Sequence, residues 1–238
     1  MVKLSKRMER LADMVTGGGC LADVGTDHGY VPIYLCEKKR ILSAVAMDVR
    51  RGPLERAEAH IREAGLEAYI ETRLSDGLEG LRAGEAHTVL IAGMGGPLTV
   101  RILSDGQEKL EGAGELILQP QSEIGKVRRW LSENGYEIVR EDTVLEDGKF
   151  YPMFRAVPGS PKEAYTEEEY RYGRPELQHS PDVWKEFLGK RLEEQKGILA
   201  HLPGEREGQA ARIRKRRMEL KEEIRVLEKM LERLSAGT

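Results

Sequence analysis

The stretch from Leu21 to Tyr30, LADVGTDHGY, constrains the fold of this chain more than any other. A short apolar run ends at Asp23, Gly25 and Gly29 follow, and a helix-like segment begins near Pro32, a residue suited to the first helical turn. This order predicts a strand, a tight loop and a helix, the first half of a βαβ unit. Because glycine has no Cβ, the loop allows a ligand to approach the backbone closely. The stretch therefore predicts an α/β domain that holds a nucleoside-like ligand.

The loop differs from the dinucleotide fingerprint G-x-G-x-x-G, since Thr26 fills the space after Gly25 and Tyr30 follows Gly29, so a pyrophosphate is poorly accommodated. The pattern Asp23-x-Gly25-x-x-x-Gly29 instead resembles motif I of the class I S-adenosylmethionine-dependent methyltransferases. The ligand in that class carries a cationic amino acid part, which an acidic residue suits. A glycine turn in another kind of α/β protein is the alternative interpretation.

Two further acidic residues follow predicted strands. Asp48 ends a strand over residues 43–47, about 20 residues beyond the loop, where a carboxylate can accept hydrogen bonds from both ribose hydroxyls. Asp76 follows a strand over residues 69–74, and its side chain or backbone is placed to bond an adenine amino group. Ligands of open α/β sheets lie across the carboxyl ends of the strands, so we expect Asp23, Asp48 and Asp76 around one crevice. A strand-end cap at Asp48 and a simple turn at Asp76 are the structural alternatives.

The following segments complete the predicted sheet. Strands are predicted at 88–92 and 116–118, and the strands 136–145 and 150–157 are joined through Asp147-Gly148, a strong hairpin signal. The hairpin makes one edge of the sheet antiparallel. This arrangement is similar to that of class I methyltransferase domains, whereas many dinucleotide-binding folds keep a parallel edge.

The composition changes after Pro158. Residues 158–161, PGSP, form a predicted linker, so we expect one domain over residues 1–158, which includes an amphipathic N-terminal helix, and a helical domain over residues 162–238. Beyond a short helix near 165–172, apolar residues mark two longer helices separated by Pro203-Gly204, and from Leu220 they alternate in steps of four and three. The pattern favours an antiparallel coiled-coil hairpin within one chain, hence a monomer; pairing between two chains, hence a dimer, is the alternative.

Composition excludes several classes of function. The net charge is −3, so a uniformly basic nucleic-acid coat is not expected, although 33% charged residues leave room for local patches. The two cysteines, Cys20 and Cys36, lack partners at zinc spacing, so neither a disulfide framework nor a metal site is predicted. The sequence contains no apolar run of membrane-spanning length and no signal-peptide core at its start. We expect a cytoplasmic protein with no membrane partner.

Two basic segments are candidates for contacts with phosphates. The first lies on the amphipathic helix near the N-terminus and the second on the last predicted helix. A solvated, ion-paired helix surface is the alternative for both. The candidate RNA-binding residues are Lys6, Arg7, Arg10, Arg212, Arg214, Lys215, Arg216 and Arg217.

Taken nearly end to end, the chain resembles the bacterial tRNA (adenine-22-N1)-methyltransferase family. The resemblance is carried by LSKR at 4–7, ADVGTDHGY at 22–30, IAGMGG at 91–96, LQP at 118–120 and YG at 172–173. It implies a Rossmann-like catalytic domain, a coiled-coil domain that helps to hold tRNA, and S-adenosyl-L-methionine as methyl donor, with S-adenosyl-L-homocysteine as product. The expected reaction is methyl transfer to N1 of adenine 22, on the D-loop side of tRNA. The expected fold is α/β, with a parallel sheet, an antiparallel edge hairpin and a C-terminal helical coiled-coil hairpin.

The candidate site residues follow from the loop, the strand ends and the resemblance. Those expected to bind the donor are Asp23, Gly25, Thr26, Asp27, His28, Gly29, Asp48, Val49, Asp76, Gly77, Ala92 and Gly93. Those expected to position the target base are Asp27, Tyr30, Gly93, Met94 and Gly95.

The expected chemistry needs no general base. Adenine N1 carries an in-plane lone pair and is itself the nucleophile, so in-line positioning matters more than proton removal. The sequence GMGG at 93–96 lacks the [D/N/S]-P-P-[Y/F] motif of enzymes that methylate the exocyclic amine. Asp27 is placed either to stabilise the cationic product or to fix the loop, and Tyr30 either to stack on a base or to pack.

Three other classes of function share parts of this pattern. A methyltransferase that acts on a protein or a small molecule would have the same first domain. A nicotinamide-dependent oxidoreductase would share Asp48 but would favour the full glycine fingerprint. A non-catalytic coiled-coil protein would have no reason to keep the ligand loop.

Overall fold

The computed structural model describes residues 2–203 and 210–236. Their contacts divide the chain into two compact units, one up to His179 and one from Ser180. The first unit contains all strands of the described chain. They are β1 (Cys20–Val24), β2 (Ser43–Asp48), β3 (Ile70–Leu74), β4 (Thr88–Met94), β5 (Glu115–Pro120), β6 (Tyr136–Glu146) and β7 (Lys149–Pro158). The helices are α1 (Lys6–Met14), α2 (Tyr30–Glu37), α3 (Arg51–Glu63), α4 (Gly96–Asp105), α5 (Ile124–Glu133), α6 (Glu167–Tyr172), α7 (Pro181–Ala200) and α8 (Ala210–Ala236).

The seven strands form one mixed sheet in the order β3-β2-β1-β4-β5-β7-β6. Strands β1 to β5 are parallel, and β7 runs antiparallel to both β5 and β6. The prediction of a Rossmann-like parallel sheet with an antiparallel edge hairpin is therefore confirmed. Because β2 and β3 lie on one side of β1 and β4 on the other, the strand order reverses between β1 and β4. This is the point at which open α/β sheets bind their ligands.

Helices cover both faces of the sheet because residues along the central strands alternate between two apolar cores. Leu21 of β1 and Leu90 of β4 belong to the core under α1 and α2, which also contains Leu11. Their neighbours Ala22 and Val89 belong to the opposite core, under α4 and α5. All of these residues are at most 2% exposed. Strands buried on both faces are typical of parallel sheets and explain the nearly continuous apolar runs in the sequence.

Two element ends differ from the sequence prediction. Strand β4 continues to Met94 instead of ending at Ala92, because a bulge at Gly93, with φ +78°, lets the pairing with β5 resume. Strand β5 continues to Pro120 instead of ending at Leu118. Helix α5 begins after Glu123, which caps it in the left-handed conformation with φ +46°. The carbonyl oxygen of Ser122 accepts the backbone N–H of Gly96 at 2.9 Å.

The first unit also extends about 20 residues beyond the predicted linker, to His179, and the domain bounds 1–158 and 162–238 stay a prediction. Helix α6 packs on α5, where Nη1 of the buried Arg128 donates to the carbonyl oxygens of Tyr170 and Arg171 at 3.0 and 3.2 Å. The carbonyl oxygen of Glu141 accepts the N–H of His179 at 2.9 Å. These bonds attach the segment that follows the predicted linker to α5 and β6 and satisfy buried polar groups, which is why this segment belongs to the first unit.

The second unit consists of α7 and α8, which pack on each other within one chain. Trp184 and Leu188 of α7 and Leu220 and Leu227 of α8 are at most 1% exposed. Lys196 and Glu228 join the two helices through an ion pair of 3.0 Å. The two predicted helices are confirmed, whereas their coiled-coil geometry stays a prediction. Part of the connection between them, residues 204–209, lies outside the described residues.

Candidate active site

The glycine loop between β1 and α2 is fixed to the neighbouring strand. The backbone N–H groups of Gly25 and Thr26 both donate to the carbonyl oxygen of Met47 at 2.8 Å. Gly25 has φ +80°, and a Cβ at this position would collide with the side-chain methyl group of Met94. Gly29, with φ +67°, is the N-cap of α2. The loop therefore requires glycine both for its conformation and for the close approach of Met94.

Two buried carboxylates stand at the carboxyl ends of neighbouring strands. Asp23 is 9% exposed and Asp48 is 8% exposed. Burial raises the pKa of Asp23 to about 6, and the nearby charge of Asp48 contributes to the same shift. Oδ1 of Asp48 accepts the backbone N–H of Arg50 at 2.8 Å, which orients the carboxylate. A cation bound beside Asp23 would offset the cost of its burial.

A cavity of about 300 Å³ opens above the glycine loop. Its volume is at the lower end of the range for small-molecule sites. It joins the loop to the end of β4 and to α1, and the predicted site residues that line it are Arg7, Asp23, Gly25, Thr26, Asp27, His28, Gly29, Tyr30, Ala92 and Gly93. The structure thus brings most of the predicted donor-binding residues to this cavity.

Asp76 and Gly77 lie apart from this cavity. They line a second cavity of about 280 Å³ beside α4, and the carboxylate of Asp76 pairs with Arg101 at 3.1 Å. Val49, directly after Asp48, is 60% exposed and offers an apolar surface at the end of β2. Asp23 lines the first cavity and the charge of Asp48 acts on it, whereas Asp76 lines the second cavity. That all three strand-end acids surround one crevice stays a prediction.

The end of β4 leaves open space at Gly93. A Cβ at Gly93 would meet only Arg7 Nη1 and Gln121 Nε2 within 4 Å, both at 3.9 Å. Gly95 is the N-cap of α4 in an extended conformation, and a Cβ there would lie 3.1 Å from Oγ of Ser122. The space therefore lies at Gly93, and the base-positioning role of residues 93–95 stays a prediction.

Arg7 of α1 lines the cavity, so its environment differs from those of Lys6 and Arg10 on the same helix. Its Nη1 donates to Oε1 of Gln119 at 3.2 Å, and its guanidinium lies 5.0 Å from the centre of the Tyr151 ring. Lys6 is exposed. Arg10 pairs at 3.1 Å with Asp142, whose side chain is fully buried, so this arginine stabilises the fold. The three cations that the sequence grouped together thus have three different environments.

Asp27 also has a partner that the sequence did not identify. Its carboxylate forms an ion pair with Arg56 of α3 and lies 3.4 Å from Nε2 of His28. The hydrogen bond from Arg56 is the main cause of the lowered pKa of Asp27. Sequence reasoning missed Arg56, Gln119 and Gln121 at this site. The sequence contains one signal for these two glutamines, which is their position at the end of a predicted strand. Gln119 lies within the resemblance motif at 118–120, and Gln121 follows it directly.

The second basic segment lies on α8. Arg212, Arg214, Lys215 and Arg216 are exposed and Arg217 is half-buried. Arg216 forms a loose ion pair of 3.5 Å with Glu219. The segment therefore presents a basic surface on the second unit.

The part of the chain that the structure describes contains no group of three or more His, Cys, Asp or Glu side chains arranged to hold a metal ion. None of its helices combines the length and the apolar character that crossing a membrane requires.

Comparison with known proteins gives one consistent family. Residues 4–154 match the family described as "Methyltransferase domain". The tRNA (adenine(22)-N(1))-methyltransferase of Bacillus subtilis strain 168 is 38% identical over 164 residues, which are 69% of each chain.

Solved structures agree over almost the whole chain. The M1A22 tRNA methyltransferase TrmK of B. subtilis superposes with a TM-score of 0.86 and 29% identity over 97% of this chain and 100% of that chain. Streptococcus pneumoniae Sp1610, solved in complex with S-adenosyl-L-methionine, superposes with a TM-score of 0.84 and 33% identity over 96% of this chain and 100% of that chain. With its methyltransferase sheet, its ligand loop and its helical second unit, this chain belongs to the tRNA (adenine(22)-N(1))-methyltransferase family.

Proposed function

We propose that this protein transfers the methyl group of S-adenosyl-L-methionine to N1 of adenine 22 in tRNA and releases S-adenosyl-L-homocysteine. The observation that carries the proposal is the pair of buried carboxylates, Asp23 and Asp48, beside a glycine loop at the point where the strand order reverses. Family membership identifies the acceptor, since the B. subtilis relative is a tRNA (adenine(22)-N(1))-methyltransferase.

The chemistry of the residues fits the donor. Asp48 is fixed at the end of β2 and can accept hydrogen bonds from the two ribose hydroxyls. Asp23 is buried with a raised pKa, and the positively charged amino group of the methionine part would stabilise its ionised form. The exposed side chain of Val49 is available to an adenine ring. When bound, the donor supplies an activated methyl group on a positively charged sulfur.

The residues around the cavity would act by positioning. The neutral N1 of adenine needs no proton removed before it attacks, so orientation of the base accounts for most of the protein's contribution. Gly93 leaves room for the base, and the amide groups of Gln119 and Gln121 lie beside that space. Exclusion of water and fixed dipoles at this place strengthen the electrostatic interactions of the reacting atoms.

The product base carries a positive charge, and we assign its stabilisation to Asp27. This carboxylate lines the cavity and is 60% exposed, so it remains ionised and accessible. Arg56 is its present partner, and competition between Arg56 and the product cation is part of the proposal.

The tRNA is expected to contact both units. Arg7 lines the cavity and Lys6 is exposed on the same helix, and the basic surface of α8 consists of Arg212, Arg214, Lys215, Arg216 and Arg217. Phosphate contacts of this kind provide affinity without sequence selection. We further propose that the protein acts in the cytoplasm, where it meets tRNA, and as a monomer, since α7 and α8 bury their apolar residues against each other within one chain. Light scattering of the pure protein tests the last point.

Methyl transfer to defined RNA tests the proposed function. Unmodified tRNA transcripts with adenine or guanine at position 22 are incubated with the protein and donor labelled in the methyl group. We expect label in the first transcript alone. Calorimetry with S-adenosyl-L-homocysteine and with NAD, as a control for a nicotinamide site, should show binding of the first ligand only. Label in both transcripts or in neither, or binding of NAD, would contradict the proposal.

A further inference from the structure

Three aromatic rings meet at the outer edge of the candidate active site. The rings of His28 and Tyr30 lie nearly parallel, with centres 5.0 Å apart and planes inclined by 11°. The ring of His60 completes a triangle, with its centre 5.3 Å from that of His28 and 4.9 Å from that of Tyr30. All three planes lie within 28° of each other. We call these three residues the aromatic cluster.

The cluster is assembled from two segments that are distant in sequence. His28 and Tyr30 flank Gly29, whose left-handed conformation turns the chain into α2. His60 comes from α3, and its Nδ1 lies 3.0 Å from the carbonyl oxygen of His28. His28 and Tyr30 line the cavity, and His60 adjoins both of their rings from α3. The aromatic surface therefore continues from the cavity toward α3.

Arginines of α3 and its N-cap lie next to the cluster. Arg56 pairs with Asp27, and Arg50 is close enough to contribute to the lowered pKa of that carboxyl group. The side chain of Arg50 is 78% exposed and that of Arg56 is 49% exposed. Exposed ion pairs contribute little to stability, so an incoming phosphate can recruit Arg56 from Asp27 at small cost.

Together these features match the surfaces that bind single-stranded RNA. Such surfaces combine aromatic faces, on which unstacked bases lie, with cations that follow the phosphate backbone. A base extruded into the cavity leaves its neighbours unstacked at the rim, where they need a new partner. The aromatic cluster and Arg56 supply an aromatic face and a cation at that rim.

We propose that the aromatic cluster binds a nucleotide of the tRNA that directly flanks the target adenine, with its base on the rings and its phosphate near Arg56. This inference rests on the proposed function and adds to it the residue His60, the cation Arg56 and a second nucleotide contact. His60 and Arg56 are positioning residues, because in the proposed arrangement they touch neither the donor nor N1 of the target adenine.

Two variants of His60 separate stacking from simple support of the loop. His60→Phe keeps a ring but loses the contact to the His28 carbonyl oxygen, whereas His60→Asn keeps a polar group but loses the ring. If the ring binds a base, His60→Asn raises the KM for tRNA by about 5- to 100-fold, as stacking of one base predicts, and His60→Phe stays within about threefold of the wild type. Donor affinity, measured by calorimetry, stays within twofold for both variants.

A fluorescent base gives a second readout that does not depend on catalysis. 2-Aminopurine, whose fluorescence falls when it stacks, is placed at position 21 or 23 of a tRNA transcript. We expect quenching on binding to the wild type and to His60→Phe, at one of the two positions, and its loss with His60→Asn. Arg56→Ala should raise KM and lower the salt slope of tRNA binding by somewhat under one unit. Arg62→Ala, an exposed cation of α3 about 9 Å further along the helix, is the matched control and should match the wild type.

Two results would overturn this inference. One is a KM and a fluorescence response that are unchanged in His60→Asn. The other is a loss of donor affinity or thermal stability in His60→Phe with retention in His60→Asn, which would make His60 a support for the loop. If the wild type methylates neither transcript, the proposed function fails instead, and the methylation assay on the wild type identifies that case.

Discussion

The side-chain oxygen Oε1 of Gln119 accepts hydrogen bonds from Nη1 of Arg7 at 3.2 Å and from the backbone N–H of Gly93 at 3.3 Å. One amide at the end of β5 thereby connects the N-terminal helix to the bulge of β4. Gln119 is 1% exposed, so its orientation is set by these contacts. The N-terminal helix is thus part of the wall of the active site.

The first prediction concerns this connection. Gln119→Leu removes the acceptor of both Arg7 and Gly93, so we expect the wall of the base site to shift and kcat for tRNA to fall by about 10- to 100-fold. Donor affinity should change less than threefold, because neither Asp23 nor Asp48 contacts the amide. Single-turnover kinetics and calorimetry measure the two quantities. Gln107→Leu, at a surface amide that bonds Asn134, is the control. A kcat equal to that of the wild type would contradict the assignment.

The second prediction assigns the ribose contact to Asp48. Asp48→Ala should weaken binding of S-adenosyl-L-methionine by about 1.5–3 kcal/mol, the loss expected for a charged hydrogen-bond acceptor. Asp76→Ala should cost less, since the carboxylate of Asp76 is half exposed and pairs with Arg101. Calorimetry compares the two variants, and equal losses, or none for Asp48→Ala, would show that the ribose is bound elsewhere.

The third prediction follows from the raised pKa of Asp23. Without donor, this carboxyl group titrates with a pKa of about 6, and a bound ammonium group should lower that value. Donor binding near pH 6 should therefore release about half a proton, and more at lower pH, and affinity should rise with pH up to about 6 and then level off. Calorimetry in buffers of different ionisation enthalpy detects the proton. Asp23→Asn should abolish the release, and a release that persists in this variant would point to another group.

The carboxyl group of Asp23 also makes the free energy of unfolding depend on pH. Because burial raises the pKa of Asp23 above the ordinary value of an aspartate, the donor-free native state binds more protons than the unfolded state between about pH 4 and 6. Its contribution to the free energy of unfolding therefore decreases as the pH rises through that range. Asp23→Asn should remove this decrease in thermal melts without donor.

The fourth prediction tests the absence of a general base. If neutral N1 attacks unaided, the single-turnover rate at saturating tRNA and donor shows no ionisation of an enzyme base between about pH 6 and 8. His28→Asn should keep a measurable rate with the same flat profile, even if it binds tRNA less tightly. A wild-type rate that rises with a pKa near 6.5, together with a flat profile in the variant, would make His28 the base.

The fifth prediction concerns the basic surface of α8. Arg212→Glu combined with Lys215→Glu should raise the KM for tRNA and flatten the salt dependence of binding, since each lost phosphate contact lowers the slope by somewhat under one unit. Donor affinity should not change. The matched control is Lys229→Glu with Arg233→Glu, which makes the same change in charge at exposed positions further along the helix. If both pairs behave alike, the basic surface is only a solvated helix face.

The sequence predicted the sheet well because its signals are local. The apolar strands, the positive-φ glycines at 25 and 29 and the Asp147-Gly148 turn each depend on a few consecutive residues. Strand β1 and the edge hairpin consequently lie where they were expected, with strand ends shifted by at most one residue.

The parts that the sequence did not predict depend on contacts between distant segments. Arg56 and His60 are ordinary surface residues of a helix until the fold brings them to the loop at 27–30. Arg10 resembles the RNA-binding cations beside it, and only its contact with the buried Asp142 shows its structural role. The extent of the first unit to His179 could not be predicted for the same reason, since the hydrogen bonds of Arg128 to α6 leave no trace in the local sequence.

The identity of the methylated nucleoside tests the central claim most directly. Unmodified tRNA is incubated with the protein and S-adenosyl-L-methionine, digested to nucleosides and to oligonucleotides, and analysed by mass spectrometry against N1-methyladenosine and N6-methyladenosine standards. The account predicts N1-methyladenosine in the fragment that contains position 22, and no other methylated adenosine. N6-methyladenosine, N1-methyladenosine at another position, or unmethylated tRNA would contradict it.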